Sequence, residues 1–208
     1  MCDSEPLPMN DYEWDVFISY RRFQKWKVWI DKYFKPLLFE ALQPELRKTD
    51  VKIFVDRDDL VEGARWPDNL RLALAHARIL VPLICAGYWD TAWCRRELTI
   101  MLEREASCGF HAPGSTRAMI VPVIIHDGER IPDAFRPVHR FRAQPTHVRS
   151  HLSSKSGLES FVEKVAKRIG EHSRACPPFD PGWADVTGDS FMRQLEPKAV
   201  ANPFPALA

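Results

Sequence analysis

Apolar positions along this chain alternate between two patterns, short continuous runs and longer stretches at helical spacing. Val16, Phe17 and Ile18 form an unbroken apolar core within Trp14 to Tyr20, the mark of a strand buried on both faces. Between Lys25 and Arg47, Trp26, Ile30, Tyr33, Leu37, Ala41 and Leu42 recur near helical spacing. Pro36 is expected to break or kink that helix, because it lacks a backbone donor and clashes with the preceding turn. Val51 to Val55 predicts a second strand. Pro67 then opens a helix at the favoured first position, with Leu70, Leu74 and Ala77 on one side and His76 within it. Arg78 to Ile84 predicts a third strand, which Pro82 should confine to an edge or interrupt with a bulge. Asp90 or Thr91 can cap a helix running through Glu97 to about Glu105. Met119 to Ile125 predicts a fourth strand, with a short fifth near Phe141. Ser156-x-x-Glu159 resembles a capping box ahead of Leu158, Phe161, Val162, Val165 and Ile169, an amphipathic last helix.

Strands alternating with helices predict an α/β fold, a parallel sheet covered on both faces. The 208 residues suffice for one such domain with some chain left over. The expected division is an N-terminal extension over 1–10, a domain over 11–173 and a Pro-rich tail over 174–208. Pro177, Pro178, Pro181, Pro197, Pro203 and Pro205 give that tail little periodicity, so it is extended, docked irregularly on the domain, or disordered. A chain ending at Arg174 is expected to fold without it. Hydrophobic residues make up 45% and charged residues 27%, an ordinary globular balance. A net charge of +1 supplies no field toward nucleic acid or anionic lipid. No apolar run nears the ~20 residues of a membrane span. The acidic start lacks the order of a signal peptide. The expected location is the cytoplasm, with no nucleic-acid or membrane partner.

Conventional catalytic signatures are missing. The chain has no G-x-G, P-loop or G-x-S-x-G elbow. Five irregularly spaced cysteines read as free thiols. Cys108-x-x-His111 would be half a zinc site without a second half, so no metal is expected. Cys94 lies at a helix start, which can lower a thiol's pKa, but no histidine is paired with it in sequence. His126 falls at a strand end and reads as an ordinary imidazole. What remains is polar and aromatic residues leaving three strands: Ser19-Tyr20-Arg21-Arg22, Asp56-Arg57-Asp58-Asp59, and Gly87 to Trp93. In an open parallel sheet, ligands bind beyond the carboxyl ends of the strands, so these loops could line one cleft or be solvated connections.

Asp15-Val-Phe-Ile-Ser-Tyr-Arg-Arg22, then Ile53-Phe-Val-Asp56, then Leu60 with Gly63 and Trp66, then Trp93-Cys-Arg-Arg-Glu-Leu98 resemble successive signature boxes of the TIR domain family, in order and spacing. Ile120-Val-Pro-Val-Ile124 and Ile131-Pro132 resemble that family's fourth strand and following loop, so the likeness spans roughly residues 11–170. The resemblance implies a flavodoxin-like fold with a five-stranded parallel sheet. It further implies either an NAD⁺-consuming enzyme or a non-catalytic adaptor that signals through TIR–TIR assembly.

For the enzymatic kind, of the stand-alone bacterial type, the resemblance makes Glu97 of the W-x-x-x-E box the catalytic residue. Trp93 and Glu97 share a helix face, being four residues apart. Ser19, Tyr20, Arg21, Arg22, Asp56, Asp58, Leu60, Trp66 and Trp93 would contact substrate, with Leu60 and Trp66 on a loop closing over the nicotinamide end or touching a neighbouring subunit. NAD⁺ is then substrate, and no cofactor is implied. The expected products are nicotinamide and ADP-ribose or a cyclic isomer, which in anti-phage defence would signal to a separate effector. A flavodoxin-like regulator would need a phosphoacceptor aspartate with a lysine partner, and that set is missing. Ala77, Cys85, Thr91-Ala92 and Glu62 depart from the family pattern without touching Glu97. The aromatic, basic stretch from Phe23 to Trp29 is longer than in compact members, as part of a lid would be.

Overall fold

A computed structural model describes residues 11–55, 68–125, 146–147 and 155–195. Five parallel strands form one sheet in the order β2-β1-β3-β4-β5, where β1 is Trp14–Tyr20, β2 Ile53–Val55, β3 Ala77–Ile84, β4 Val123–Ile124 and β5 Thr146–His147. This order is the flavodoxin-like one, and the chain leaves β1 for β2 on one side and returns to β3 on the other. Right-handed crossovers put the helices between β1 and β2 on one face, and α3 (Asp68–Ala75) and α4 (Ala92–Ser107) on the opposite face. The last long helix, α5 (Lys155–Arg174), packs against the helix that follows β1. Among the described residues no helix is long and apolar enough to cross a membrane.

The helix after β1 corrects the expected phase. It runs as α1 (Gln24–Trp29), a π-turn over Ile30–Phe34, and α2 (Lys35–Leu46). The wide turn inserts a residue, so Ile30, Phe34, Leu38 and Leu42 are buried, while Tyr33, expected inside, is 53% exposed. Pro36 does not break the helix. It falls in the first turn of α2, where the missing donor is tolerated because the wide turn precedes it.

Pro82 also lies elsewhere than expected. β3 is the centre of the sheet, not an edge, and Pro82 pairs with Ser19 of β1. The anticipated irregularity falls on the other side. Leu80 N–H donates to Met119 and Ile84 accepts from Ile125, so even-numbered residues of β3 face β4. There the ladder lapses between the Leu80–Ile120 bridge and the Leu83–Val123 pair, opposite the residue that has no N–H to give. The predicted fourth strand is accordingly short, and the fifth is at Thr146–His147, since Phe141 lies outside the described residues. Ala77 begins β3 instead of ending α3, and His76 forms the turn between them. α5 starts at Lys155, so Ser156 falls within its first turn instead of ahead of it.

The described part of the tail docks on the α3–α4 face. Trp183, in a short 3₁₀ turn (Pro181–Asp185), is 5% exposed and forms an aromatic cluster with Tyr12 and Phe179, and Phe179 stacks on His76 at 4.6 Å. The Trp183 ring lies 4.0 Å from the Arg104 guanidinium carbon. Arg104, fully buried in α4, donates to the carbonyls of Leu74 at 2.9 Å and Ala77 at 3.1 Å, joining the end of α3 to the start of β3. Burial lowers its pKa to about 10. Arg71 donates to the Ala184 carbonyl. Further along, α6 (Asp189–Leu195) packs on α4, with Glu103 accepting from Gly188 N–H at 2.8 Å and from the Ser190 hydroxyl at 2.9 Å, a carboxylate at a helix N-terminus. Gly188 has φ 74°, and a Cβ there would meet the Ile100 nitrogen at 2.8 Å. These contacts argue against a dispensable tail, because removing it uncovers Arg104, Tyr12 and His76 together.

Candidate functional site

The sheet order switches direction between β1 and β3, the place beyond the carboxyl ends where open parallel sheets bind ligands, and two of the three predicted loops come together there, with Arg21 lying against Gly87. β1 delivers Ser19 to Arg22, and β3 delivers Cys85, a 3₁₀ turn over Ala86–Tyr88, and then α4. Asp56, Asp58, Leu60 and Trp66 lie outside the described residues.

Glu97 occupies the second turn of α4 and is only 3% exposed. Trp93, one turn earlier, is half-buried and packs on the core. Thr91 takes the N-cap position of α4, but its hydroxyl does not cap the helix. It donates back to the Gly87 carbonyl at 3.0 Å and closes the preceding turn. Arg21 is exposed and lies across Gly87, where a Cβ would collide with its guanidinium. Arg22 is half-buried, close enough to the Cys94 thiol to oppose the effect of Glu97 on it.

Ser19 is fully buried and Tyr20 is 6% exposed, so these two predicted contact residues belong to the wall of the site and the core beneath it. The Ser19 hydroxyl lies 2.8 Å from the Tyr88 phenol, and Tyr88 donates to the Cys94 carbonyl at 3.2 Å. Tyr88 lies within the Gly87 to Trp93 segment, but nothing in the sequence gives it a role of its own. A tyrosine in a three-residue turn carries no periodicity, and its partners are 69 residues and 6 residues away.

Cys94 is not an activated nucleophile. Burial first, then the nearby Glu97 charge, push its thiol well above the ordinary value of 9.0, against the modest lowering from Arg22. In the native protein Cys94 should therefore resist alkylation near neutral pH, while the partly exposed Cys108 reacts ahead of it. Mass mapping after a brief pulse of iodoacetamide checks this, and preferential labelling of Cys94 would contradict it. His111, the other half of the imagined zinc pair, has its Nε2 on the Glu105 carboxylate at 3.2 Å. The other oxygen of Glu105 accepts from the Met119 and Ile120 N–H groups.

These buried acids also fix a pH dependence. Burial raises the Cys176 thiol to about 11, and Cys94 and Tyr88 shift in the same direction. The unfolded chain would ionise its thiols from the ordinary value of 9.0, losing protons before the folded chain does. Stability should therefore be complete below about pH 9 and fall above it, by up to about 1.4 kcal/mol per pH unit for each fully shielded thiol. Arg104, lowered to about 10, acts in the opposite sense only above that pH. Urea unfolding at about pH 8 and about pH 10 measures the slope, and an unchanged midpoint would refute it.

A cavity of about 710 Å³ lies elsewhere, between α2 and α5, lined by residues including Leu37, Glu40, Ala41, Glu163, Lys164 and Lys167. None of the predicted site residues borders it.

A family model described as the TIR domain matches residues 16–152, from β1 through β5. Among solved structures, this chain is similar to the TIR domains in a structure of the activated Roq1 resistosome directly recognizing the pathogen effector XopQ. That likeness has 19% identity, covers 76% of this chain and 84% of that one, and has a TM-score of 0.38.

Proposed function

The chain belongs to the TIR domain family, and on that premise we propose that it cleaves the nicotinamide–ribose bond of NAD⁺ with Glu97 as the catalytic carboxylate. The observation that carries this reading is a carboxylate only 3% exposed, one helical turn from Trp93, on the helix that follows β3 where the sheet switches its order. Nicotinamide in NAD⁺ is a cationic leaving group, so it departs with the bonding electron pair and needs no general acid. The ribose C1′ is left oxocarbenium-like, as in glycoside hydrolysis. Glu97, shielded from water, stabilises that developing cation more than the ground state. Water adding at C1′ and losing a proton gives ADP-ribose, while an adenine nitrogen adding there gives a cyclic isomer. Arg21, exposed and lying across Gly87 at the rim, is the side chain whose movement would admit the ribose.

In this reading the protein works in the cytoplasm, and its nucleotide product signals to a separate effector in anti-phage defence. The reading is tested by incubating the purified full-length chain with NAD⁺ and separating products by chromatography. Release of nicotinamide with a matching ADP-ribose or cyclic product is expected. No nicotinamide at any protein concentration would overturn the enzyme and leave a non-catalytic adaptor.

Self-association is the second part of the proposal. A dinucleotide is usually held in a concave pocket, and a sheet-end crevice in one small domain offers few walls. Leu60 and Trp66 are large apolar residues in a segment that also carries Asp56, Arg57, Asp58, Asp59, Glu62 and Arg65, which suits contact with a neighbouring copy. Specific activity should then rise with protein concentration, and Leu60→Asp should depress it without unfolding the domain. Constant specific activity across the concentration range, with monomers throughout by light scattering, would refute assembly.

A further inference from the structure

We propose that Tyr88 is a positioning residue for the reaction, a buried phenol that ties the end of β1 to the turn of α4 bearing Trp93 and Glu97. The inference rests on the NAD⁺-cleaving reading of the site, and it concerns a residue outside the signature boxes.

Tyr88 is fully buried where these two segments come together. Its hydroxyl lies 2.8 Å from the Ser19 oxygen and 3.2 Å from the Cys94 carbonyl. The proton positions follow from the chemistry of the three groups. A carbonyl can only accept, so the single phenolic proton goes to Cys94, and the Ser19 hydroxyl must donate to the phenol oxygen. The resulting chain runs Ser19 to Tyr88 to Cys94, each link a donor meeting an acceptor.

Both ends of this chain sit next to the proposed chemistry. Ser19 is two residues before the exposed Arg21 and three before the half-buried Arg22, which follow directly on β1. Cys94 lies within the Trp93–Glu97 turn, and its carbonyl is also the ordinary helical acceptor for the Leu98 N–H. A second donor on that carbonyl fixes how far the turn stands from β1. The phenol thus helps set the spacing between Glu97 and the arginine-bearing segment, together with the contact of Ser19 with Cys94 and the packing of α4 on β1. No charged partner is needed for this, and Tyr88 touches no reacting atom.

The test uses the full-length chain and Tyr88→Phe, which keeps the buried ring and removes only the hydroxyl. Because small displacements of a catalytic group are costly, kcat for NAD⁺ cleavage should fall about tenfold while KM stays within about twofold. Ser19→Ala should lower kcat in the same way, Ser19→Thr should restore most of it, and the double variant should be no worse than Tyr88→Phe alone. Equal effects on kcat and KM, or effects of the two substitutions that simply multiply, would overturn the proposal. Backbone amide exchange gives a readout independent of turnover. Tyr88→Phe should speed exchange at Ser19–Arg22 and Trp93–Leu98 together, leaving α2 and α5 unchanged. A wild-type chain that does not cleave NAD⁺ refutes the enzymatic reading, whereas unchanged exchange in both segments refutes the role of Tyr88 whatever the activity.

Discussion

Glu97→Gln is expected to remove most NAD⁺ cleavage, lowering kcat about 100- to 1,000-fold, while the domain stays folded. Glutamine keeps the volume and one carbonyl acceptor in a position that is 3% exposed, so no cavity opens. In the proposed reaction, what disappears is the full negative charge that would face the ribose as it becomes cationic. In a shielded site that interaction is far larger than in water, and removing one electrostatic partner of a transition state commonly costs about 100- to 1,000-fold. Stability should change by only about 1 kcal/mol. The removal of that charge should also ease Cys94 and Tyr88, both of which Glu97 pushes upward. Initial rates of nicotinamide release, with thermal melts of both proteins, make the comparison. A variant retaining a tenth of the wild-type rate would eliminate Glu97 as the catalytic group. A variant that melts far lower would assign the residue to the fold.

The second large effect is expected from the tail. Trp183→Ala removes an indole that is 5% exposed, covers the Arg104 guanidinium at 4.0 Å and packs against Tyr12 and Phe179. Truncating a buried aromatic costs about 3–5 kcal/mol, a large share of the roughly 5–15 kcal/mol that holds a domain folded. For a chain of this size the melting temperature should drop by about 10 °C. Ending the chain at Arg174 should cost more, since it also removes Phe179 from His76 and the α6 contacts with Glu103. Arg104→Ala should match or exceed the Trp183 effect, because the Leu74 and Ala77 carbonyls would lose their donors inside the core. Calorimetry of the three proteins decides the matter. A truncated chain with the melting temperature of the full chain would make the tail peripheral after all.

Local periodicity carried much of this protein. Val16-Phe17-Ile18 reads as a doubly buried strand because a parallel sheet covered on both faces selects continuous apolar runs, and all three side chains are indeed fully buried. The placement of Trp93 and Glu97 one turn apart on a single helix was equally legible, since helical geometry alone aligns residues four apart. The Pro82 irregularity was foreseeable as a missing donor, but its placement in the central strand was not. Sheet order depends on which strands meet, and a proline is tolerated in the middle when its bare side faces a lapse in the neighbouring ladder.

Tertiary structure alone decided the rest. The π-turn after Trp29 shifted the helix phase and moved Tyr33 outward, a choice made by the packing of Ile30 and Phe34 and invisible to a fixed helical period. Ser19 and Tyr88 are 69 residues apart, and their hydrogen bond exists because β1 pairs with β3, which sets the turn after β3 beside the end of β1. Arg104 looks like an ordinary solvent-facing residue of an amphipathic helix until Trp183 covers it. Periodicity records which face of an element avoids water. It does not record which distant residue fills that face, because burial is favourable against any well-packed partner and only the assembled chain selects one.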